Sequence, residues 1–410
     1  MTKISNLPLD LVTEILSSVP LTSLRAVRFT CKKWNTLSQD RSFIKKHLAQ
    51  LKAAMEEKEF LAIMVMDFRV YLMNINLRGD HKDDGNVVKR QGKLISLDDA
   101  DRVDISRIFH CDGLVLCITQ DINNSRLVVW NPYSGRTRSI QPRNSYRKCD
   151  MYGFGYEMKN KSVRIHKILR FVDKFNDRSF NCLYLEFEIF NLDSNTWKVV
   201  DLSPGWEIKL DHCAVSLKGN TYWLAQEILP IGEEEEEQEF VEEIDAFLIC
   251  FDFTRERFGP RLSLPFQTNV DDYLTLSSVG EEQLAVLRTR TVLMEFWVTT
   301  KIEPEVVSWK KLFVSEDTNP LNSLRYDFTH SGTPFFIEQG NKVAVVFDQN
   351  EIISEHNIAY IIGEYGYVEE VDLGVGEFSR KHHHYPHGCS YVPSSMQIKQ
   401  GGKRKKELQF

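Results

Sequence analysis

Two periodicities divide the chain. Up to about residue 59 apolar positions recur at helical spacing, whereas from Phe60 onward they come in short β-branched and aromatic runs broken by polar turns. Over 8–19, Leu9, Val12, Leu16 and Val19 form one stripe, and Leu11 and Ile15 form a second. That is more apolar surface than the single face a packed helix buries, so a helix this short wants two partners. Pro8 suits a first turn, where its missing N–H costs nothing, and Asp10 and Glu14 lie near the positive end of the helix dipole. Pro20 ends this helix. Thr22 and Thr30 then predict N-caps for two more short helices, one carrying Leu24, Ala26 and Val27, the other Cys31, Trp34 and Leu37. Residues 51–59 read as a helical spacer.

The remainder repeats. An outer hairpin recurs at 127–140, 187–201, 248–262 and 294–313, and more weakly at 367–380: an apolar strand, a turn with Asn, Asp, Ser or Thr, then a segment holding an aromatic. Inner hairpins alternate with it at 111–119, 212–225, 276–287 and 334–348. Asp112-Gly113, Lys218-Gly219-Asn220 and Gln339-Gly340-Asn341 supply turn residues that tolerate positive φ. Segments 152–157 and 164–172 supply the inner strands of the unit ending near Asp201. Inner plus outer hairpin, repeated roughly every 50 to 70 residues, is the signature of a four-stranded propeller blade. Five units fit between Phe109 and Lys381, and the strands at 60–77 and after Gly388 can combine into a sixth that closes the ring. A pair of β-sandwiches is the alternative. The polar segment 79–85 reads as a loop.

Particular residues carry a resemblance at each end. Leu7, Pro8, Asp10, Leu11, Glu14, Ile15, Leu16, Val19-Pro20, Ser23-Leu24, Arg28, Cys31-Lys32 and Trp34 resemble the F-box motif. The resemblance implies binding to the Skp-type adaptor, and through it to the cullin, of an SCF ubiquitin ligase. The implied adaptor-facing residues are Leu7, Pro8, Leu11, Ile15, Leu16, Val19, Pro20 and Leu24, with Trp34 and Leu37 closing the module's own core. A module of about 45 residues buries too little surface to stand alone, which fits completion by another chain. In the body, Cys111-Asp112-Gly113-Leu114, Trp130-Asn131-Pro132 with Ser134-Gly135, Tyr152-Gly153-Phe154-Gly155-Tyr156, His212-Cys213-Ala214-Val215, Tyr222-Trp223-Leu224, Phe251-Asp252-Phe253 and Tyr391-Val392-Pro393-Ser394 resemble the F-box-associated domain of plant F-box proteins. That implies a propeller-like receptor for a protein substrate. The fold class expected is mainly β with a small N-terminal α-helical F-box and a β-propeller-like, kelch-like body of about five to six blades. The expected division is F-box 1–48, spacer 49–59, F-box-associated domain 60–396 and basic tail 397–410.

Composition narrows the function. With 42% hydrophobic and 27% charged residues the chain reads as folded and globular, and no apolar run reaches a membrane span. Lacking a signal peptide pattern, it is expected in the cytoplasm, the nucleus or both. A net charge of −7 argues against nucleic acid as the main partner. The eight cysteines show no paired spacing and read as reduced and structural, with Cys111, Cys117, Cys182, Cys213 and Cys250 in apolar runs. His382, His383, His384, His387 and Cys389 bring metal-ligand types together, but adjacent histidines alternate sides of an extended chain, and a solvated turn is the expectation. The acidic stretch 233–243 reads as an extended loop, and Lys403, Arg404, Lys405 and Lys406 as a tail that could serve nuclear import. Paired carboxylates at Asp98, Asp99 and Asp101 and at Asp271 and Asp272 lack an apolar pocket that would raise a pKa, and no catalytic motif, cofactor loop or metal framework appears. Trp130, Trp197, Trp223 and Trp309 recur with the repeat and read as packing. A receptor subunit without catalysis is the reading; a scaffold outside ubiquitin chemistry, or a carbohydrate-binding or hydrolytic propeller, are the alternatives.

Overall fold

The computed structural model describes residues 7–57, 60–77, 88–93, 104–120, 126–146, 150–160, 163–173, 184–202, 204–208, 214–227, 245–290, 293–316, 333–350, 356–364, 366, 368–375 and 386–399. Four helices open the chain: α1 (Leu9–Ser17), α2 (Leu21–Thr30), α3 (Lys32–Ser38) and α4 (Arg41–Glu57). Pro8 and Pro20 hold the N-cap positions of α1 and α2 with φ of −51° and −55°, and neither helix has a side-chain cap. Proline already presets the backbone for helix entry, so the expected Thr22 cap is not used and Thr22 lies inside α2. Thr30 likewise ends α2 rather than starting α3: its hydroxyl donates to the Ala26 carbonyl at 3.0 Å, and the extended Cys31 takes the N-cap. Asp40 caps α4, its Oδ1 accepting from the Ser42 and Phe43 amides at 2.8 and 3.3 Å. The expected spacer is therefore part of α4, which runs unbroken out of the helical module to Glu57.

Six antiparallel sheets follow. From the innermost strand outward, blade 1 is His387–Tyr391, Phe60–Met66, Arg69–Ile75 and Val88–Lys93. Blade 2 is Asp104–Cys111, Leu114–Gln120, Leu127–Asn131 and Arg136–Ile140; blade 3 is Met151–Asn160, Val163–Asp173, Tyr184–Asn191 and Thr196–Val200. Blade 4 is built on Asn220–Glu227 and Ala246–Asp252, flanked by the short strands Trp206–Glu207, Val215–Leu217, Arg257–Phe258 and Leu262–Ser263. Blade 5 is Tyr273–Val279, Gln283–Arg290, Leu293–Glu303 and Val306–Glu316, and blade 6 is Phe335–Glu338, Val343–Asn350, His356–Gly363 and Val368–Val375. The body is thus a six-bladed propeller. It closes as expected by pairing its two ends, in register from Leu61 with Tyr391 to Val65 with His387. The segment 367–380 is not a whole outer hairpin: it supplies only the last strand of blade 6, whose partner is His356–Gly363. The polar loop expected at 79–85 lies outside the described residues.

The buried apolar residues form one cluster between each pair of neighbouring blades. Strand periodicity explains how. Leu61, Ile63 and Val65 enter the wedge between blades 1 and 2, while Ala62, Met64 and Met66 enter the wedge between blades 6 and 1. A sheet buried on both faces needs a continuous apolar run, which is why 60–66 shows no alternation. Trp223 and Trp130 are buried in such wedges, while the Trp197 and Trp309 indoles donate to the Gln141 and Ser263 carbonyls at 2.7 and 3.0 Å across blade boundaries. Burial pushes the Cys117 and Cys250 thiols up to about 12, so both are inert; Cys31 is exposed, and Cys182 and Cys213 lie outside the described residues.

Candidate functional site

The helical module is joined to the propeller through shared core. Val12, Leu16, Leu21, Leu24 and Phe43 belong to the same cluster as Leu61, Ile63, Trp130 and Tyr133 of blades 1 and 2. At its centre is Tyr133, in the turn between the third and fourth strands of blade 2 and only 2% exposed. Its hydroxyl lies 3.1 Å from His47 Nδ1, and His47 Nε2 lies 2.8 Å from the Val19 carbonyl. A carbonyl can only accept, so Nε2 carries the proton and Nδ1 accepts from the tyrosine. Arg28 Nη1 donates to the Tyr133 carbonyl at 2.9 Å. Burial above all, aided by the Arg28 charge, outweighs the Val19 hydrogen bond and holds the His47 pKa below its ordinary value, which keeps this bonding pattern neutral.

The outer side of α1 is left uncovered. Leu9 and Leu11 are 52% exposed, Ile15 47% and Phe29 of α2 78%, four large apolar side chains on a small module. The residues expected to face an adaptor divide in three. Pro8, Leu11, Ile15 and Pro20 are exposed; Leu7 and Val19 are half-buried against the core; Leu16 and Leu24, at 3% and 1%, are inside it. The second stripe of α1, Leu11 and Ile15, faces outward, while the first divides: Val12 and Leu16 fill the wedge and Leu9 stays exposed. Trp34 and Leu37 pack on the module's core as expected. Leu9 and Phe29 were not foreseen as surface positions; Phe29's sign was its place off the Leu21 and Leu24 stripe of α2.

The propeller has two unlike ends. In an antiparallel blade the first-to-second and third-to-fourth connections share one end, and Tyr133 shows that this end faces the helices. Its connections are mostly tight: 112–113, 161–162, 218–219 and 132–135, 192–195, 253–256, with 76–87 the exception. Positive φ at Asp112, Gly113, Lys218 and Gly219 makes these turns, whereas in the 339–342 turn it falls on Lys342, just beyond the expected Gln339-Gly340-Asn341. The opposite end carries the long connections: 94–103, 141–150, 174–183, 228–245, 317–334 and 376–386. The acidic stretch 233–243 and His382, His383 and His384 fall within two of these, outside the described residues; Lys403, Arg404, Lys405 and Lys406 lie outside them too.

Charged groups near that far end are tied into the scaffold. Arg170 is fully buried with Asp150 and Glu188; its Nε donates to Asp150 at 2.9 Å and its Nη2 to the Ser145 carbonyl at 2.7 Å, which pins the 141–150 connection. Burial pushes the Asp272 carboxyl up, but hydrogen bonds from Arg288 and Arg290 outweigh this and hold it below the usual carboxylate range. Held this way, Asp272 is not a carboxyl poised to exchange protons near neutrality. Asp98, Asp99 and Asp101 are outside the described residues. The innermost strands line a narrow axial channel with Arg107, His110, Ser277, His387 and Cys389, and among the described residues no three His, Cys, Asp or Glu side chains converge as a metal site would require.

Comparison with known proteins matches both parts. Residues 4–46 match the F-box domain and residues 61–398 the F-box associated beta propeller domain. An F-box/kelch-repeat protein of Arabidopsis thaliana is 52% identical over 405 residues, covering 97% of this chain and 100% of its own length. An F-box protein of the same plant is 51% identical over 422 residues, with the same coverage of 97% and 100%. This chain therefore belongs to the F-box proteins with a C-terminal F-box-associated β-propeller domain, whose F-box in general implies the role of a substrate adaptor in SCF ubiquitin ligases.

Proposed function

We propose that this chain is a substrate receptor that binds a Skp-type adaptor, and through it a cullin, with the exposed side of its F-box, and a target protein with the far end of its propeller. The adaptor patch is Pro8, Leu11, Ile15 and Pro20, extended by Leu9 and Phe29, with Leu7 and Val19 at its edge; Leu16 and Leu24 act from within by holding α1 and α2 in place. The observation that carries the reading is the placement of that apolar patch and of the long connections on opposite sides of one continuously packed body. Loops of varied length on a rigid scaffold are where recognition is usually built. The chain performs no covalent chemistry in this reading: holding a target at a fixed distance from the conjugating enzyme raises the effective concentration of its lysines.

Co-expression with a Skp-type adaptor and gel filtration test this. The full chain is expected to co-elute one-to-one, and Leu11→Asp with Ile15→Asp to abolish co-elution while the melting temperature stays put, because both residues are already exposed. Retained co-elution of the double variant would refute the assigned patch.

A further inference from the structure

Where the F-box meets the propeller, Arg28, Ser38, Gln39, Ser134, Arg136 and Gln397 are among the residues lining an open cavity of about 150 Å³. Both of its charged lining residues are cations. Arg28 uses Nη1 on the Tyr133 carbonyl at 2.9 Å and Nε on Ser38 Oγ at 3.4 Å; its other N–H groups, and the Arg136 guanidinium, meet no acceptor among the described residues. Asp40, beside Gln39 in the chain, is engaged in capping α4. Burial depresses the Arg28 pKa, and the neighbouring charge of Arg136 depresses it further, as expected of two guanidiniums facing one space without a counter-ion. A cavity of this volume is roomy enough for a phosphoryl group. Two arginine guanidiniums on a cavity with no carboxylate in its lining match a tetrahedral dianion better than any neutral ligand.

We infer that this seam binds a phosphoryl dianion, as free phosphate or as the head of a small phosphomonoester, with Arg28 from the F-box and Arg136 from blade 2 holding it from the two sides. Such a ligand would bridge the two parts beside the Tyr133 joint and stiffen it.

Isothermal titration of the full chain with inorganic phosphate, glycerol 3-phosphate and glycerol, at constant ionic strength, tests the inference. Saturable binding of the two phosphates and none of glycerol is expected, and the tighter of the two identifies the form of the ligand. Arg136→Glu, at an exposed position and so without consequence for folding, should weaken binding on the order of tenfold or more. The control Arg257→Glu, exposed on blade 4, should leave it unchanged. Absence of saturable binding, or equal loss in both variants, would overturn the site.

Discussion

The two ends of this propeller follow different rules. At the F-box end most connections are two to four residues long, several require positive φ, and buried side chains bind them to the helices and to the C-terminal segment. At the far end the connections run to as many as 228–245 and 317–334. A tight end is a foundation, because every turn residue is determined by its neighbours. A loose end is free to vary without disturbing the blades, since loop length costs little closure entropy. One scaffold can in this way keep the geometry of attachment constant while the recognition surface changes.

The comparison predicts graded effects. Tyr133→Ala should cost about 3–5 kcal/mol, because it empties a filled wedge and strips His47 of its hydroxyl partner; Tyr133→Phe should cost about 1–2 kcal/mol. Urea unfolding gives both, and values near zero would show that the joint does not rest on Tyr133.

Acid should loosen the same end. His110 is half-buried beside the 112–113 turn and accepts from the Gly113 amide at 3.0 Å, and desolvation above all lowers its pKa from 6.5 to about 4. The unfolded chain takes up this proton below pH 6.5 while the folded chain refuses it until about 4, so stability is full above that window and falls across it. The loss is about 3 kcal/mol, and a pH series of unfolding midpoints that is flat from 7 to 4 would contradict the assignment.

Two glycines separate crowding from backbone strain. A Cβ on Gly113, at φ +76°, would lie 2.2 Å from Ser394 Oγ, while one on Gly135, at φ +73°, would meet nothing within 4 Å. Gly113→Ala should therefore cost about 2–3 kcal/mol and Gly135→Ala about 1 kcal/mol, the strain alone. Equal costs would mean that the Ser394 contact, through which the C-terminal segment lies on blade 2, carries no load. The far end should lose nothing: replacing 228–245 by a two-residue turn removes closure entropy worth at most about 2 kcal/mol, so stability should hold or rise, and a large loss would erase the contrast between the ends.

Much of the architecture was legible because strands advertise themselves twice, by apolar runs and by turn residues such as Asp112-Gly113. The strands Val88–Lys93 and His356–Gly363 escaped: the first is polar, and the turn after the second has none of the Asn, Asp, Ser or Thr that marked other outer hairpins. On α1 both stripes were visible, but nothing in their apolarity said which faced inward; the wedge between blades 1 and 2 decides that, taking Val12 and Leu16 and leaving Leu11 and Ile15. The joint itself was illegible, since Tyr133 meets Arg28 and His47 across 105 and 86 residues and none of the three sits in a local pattern that signals contact.

Hydrogen exchange of the full chain, with and without a bound Skp-type adaptor, tests the division of labour most directly. The account predicts protection confined to α1 and α2, with amides at the far end, such as 141–146 and 264–272, exchanging as in the free chain. Protection at those far-end segments and none on α1 would place the adaptor on the wrong end and contradict the account.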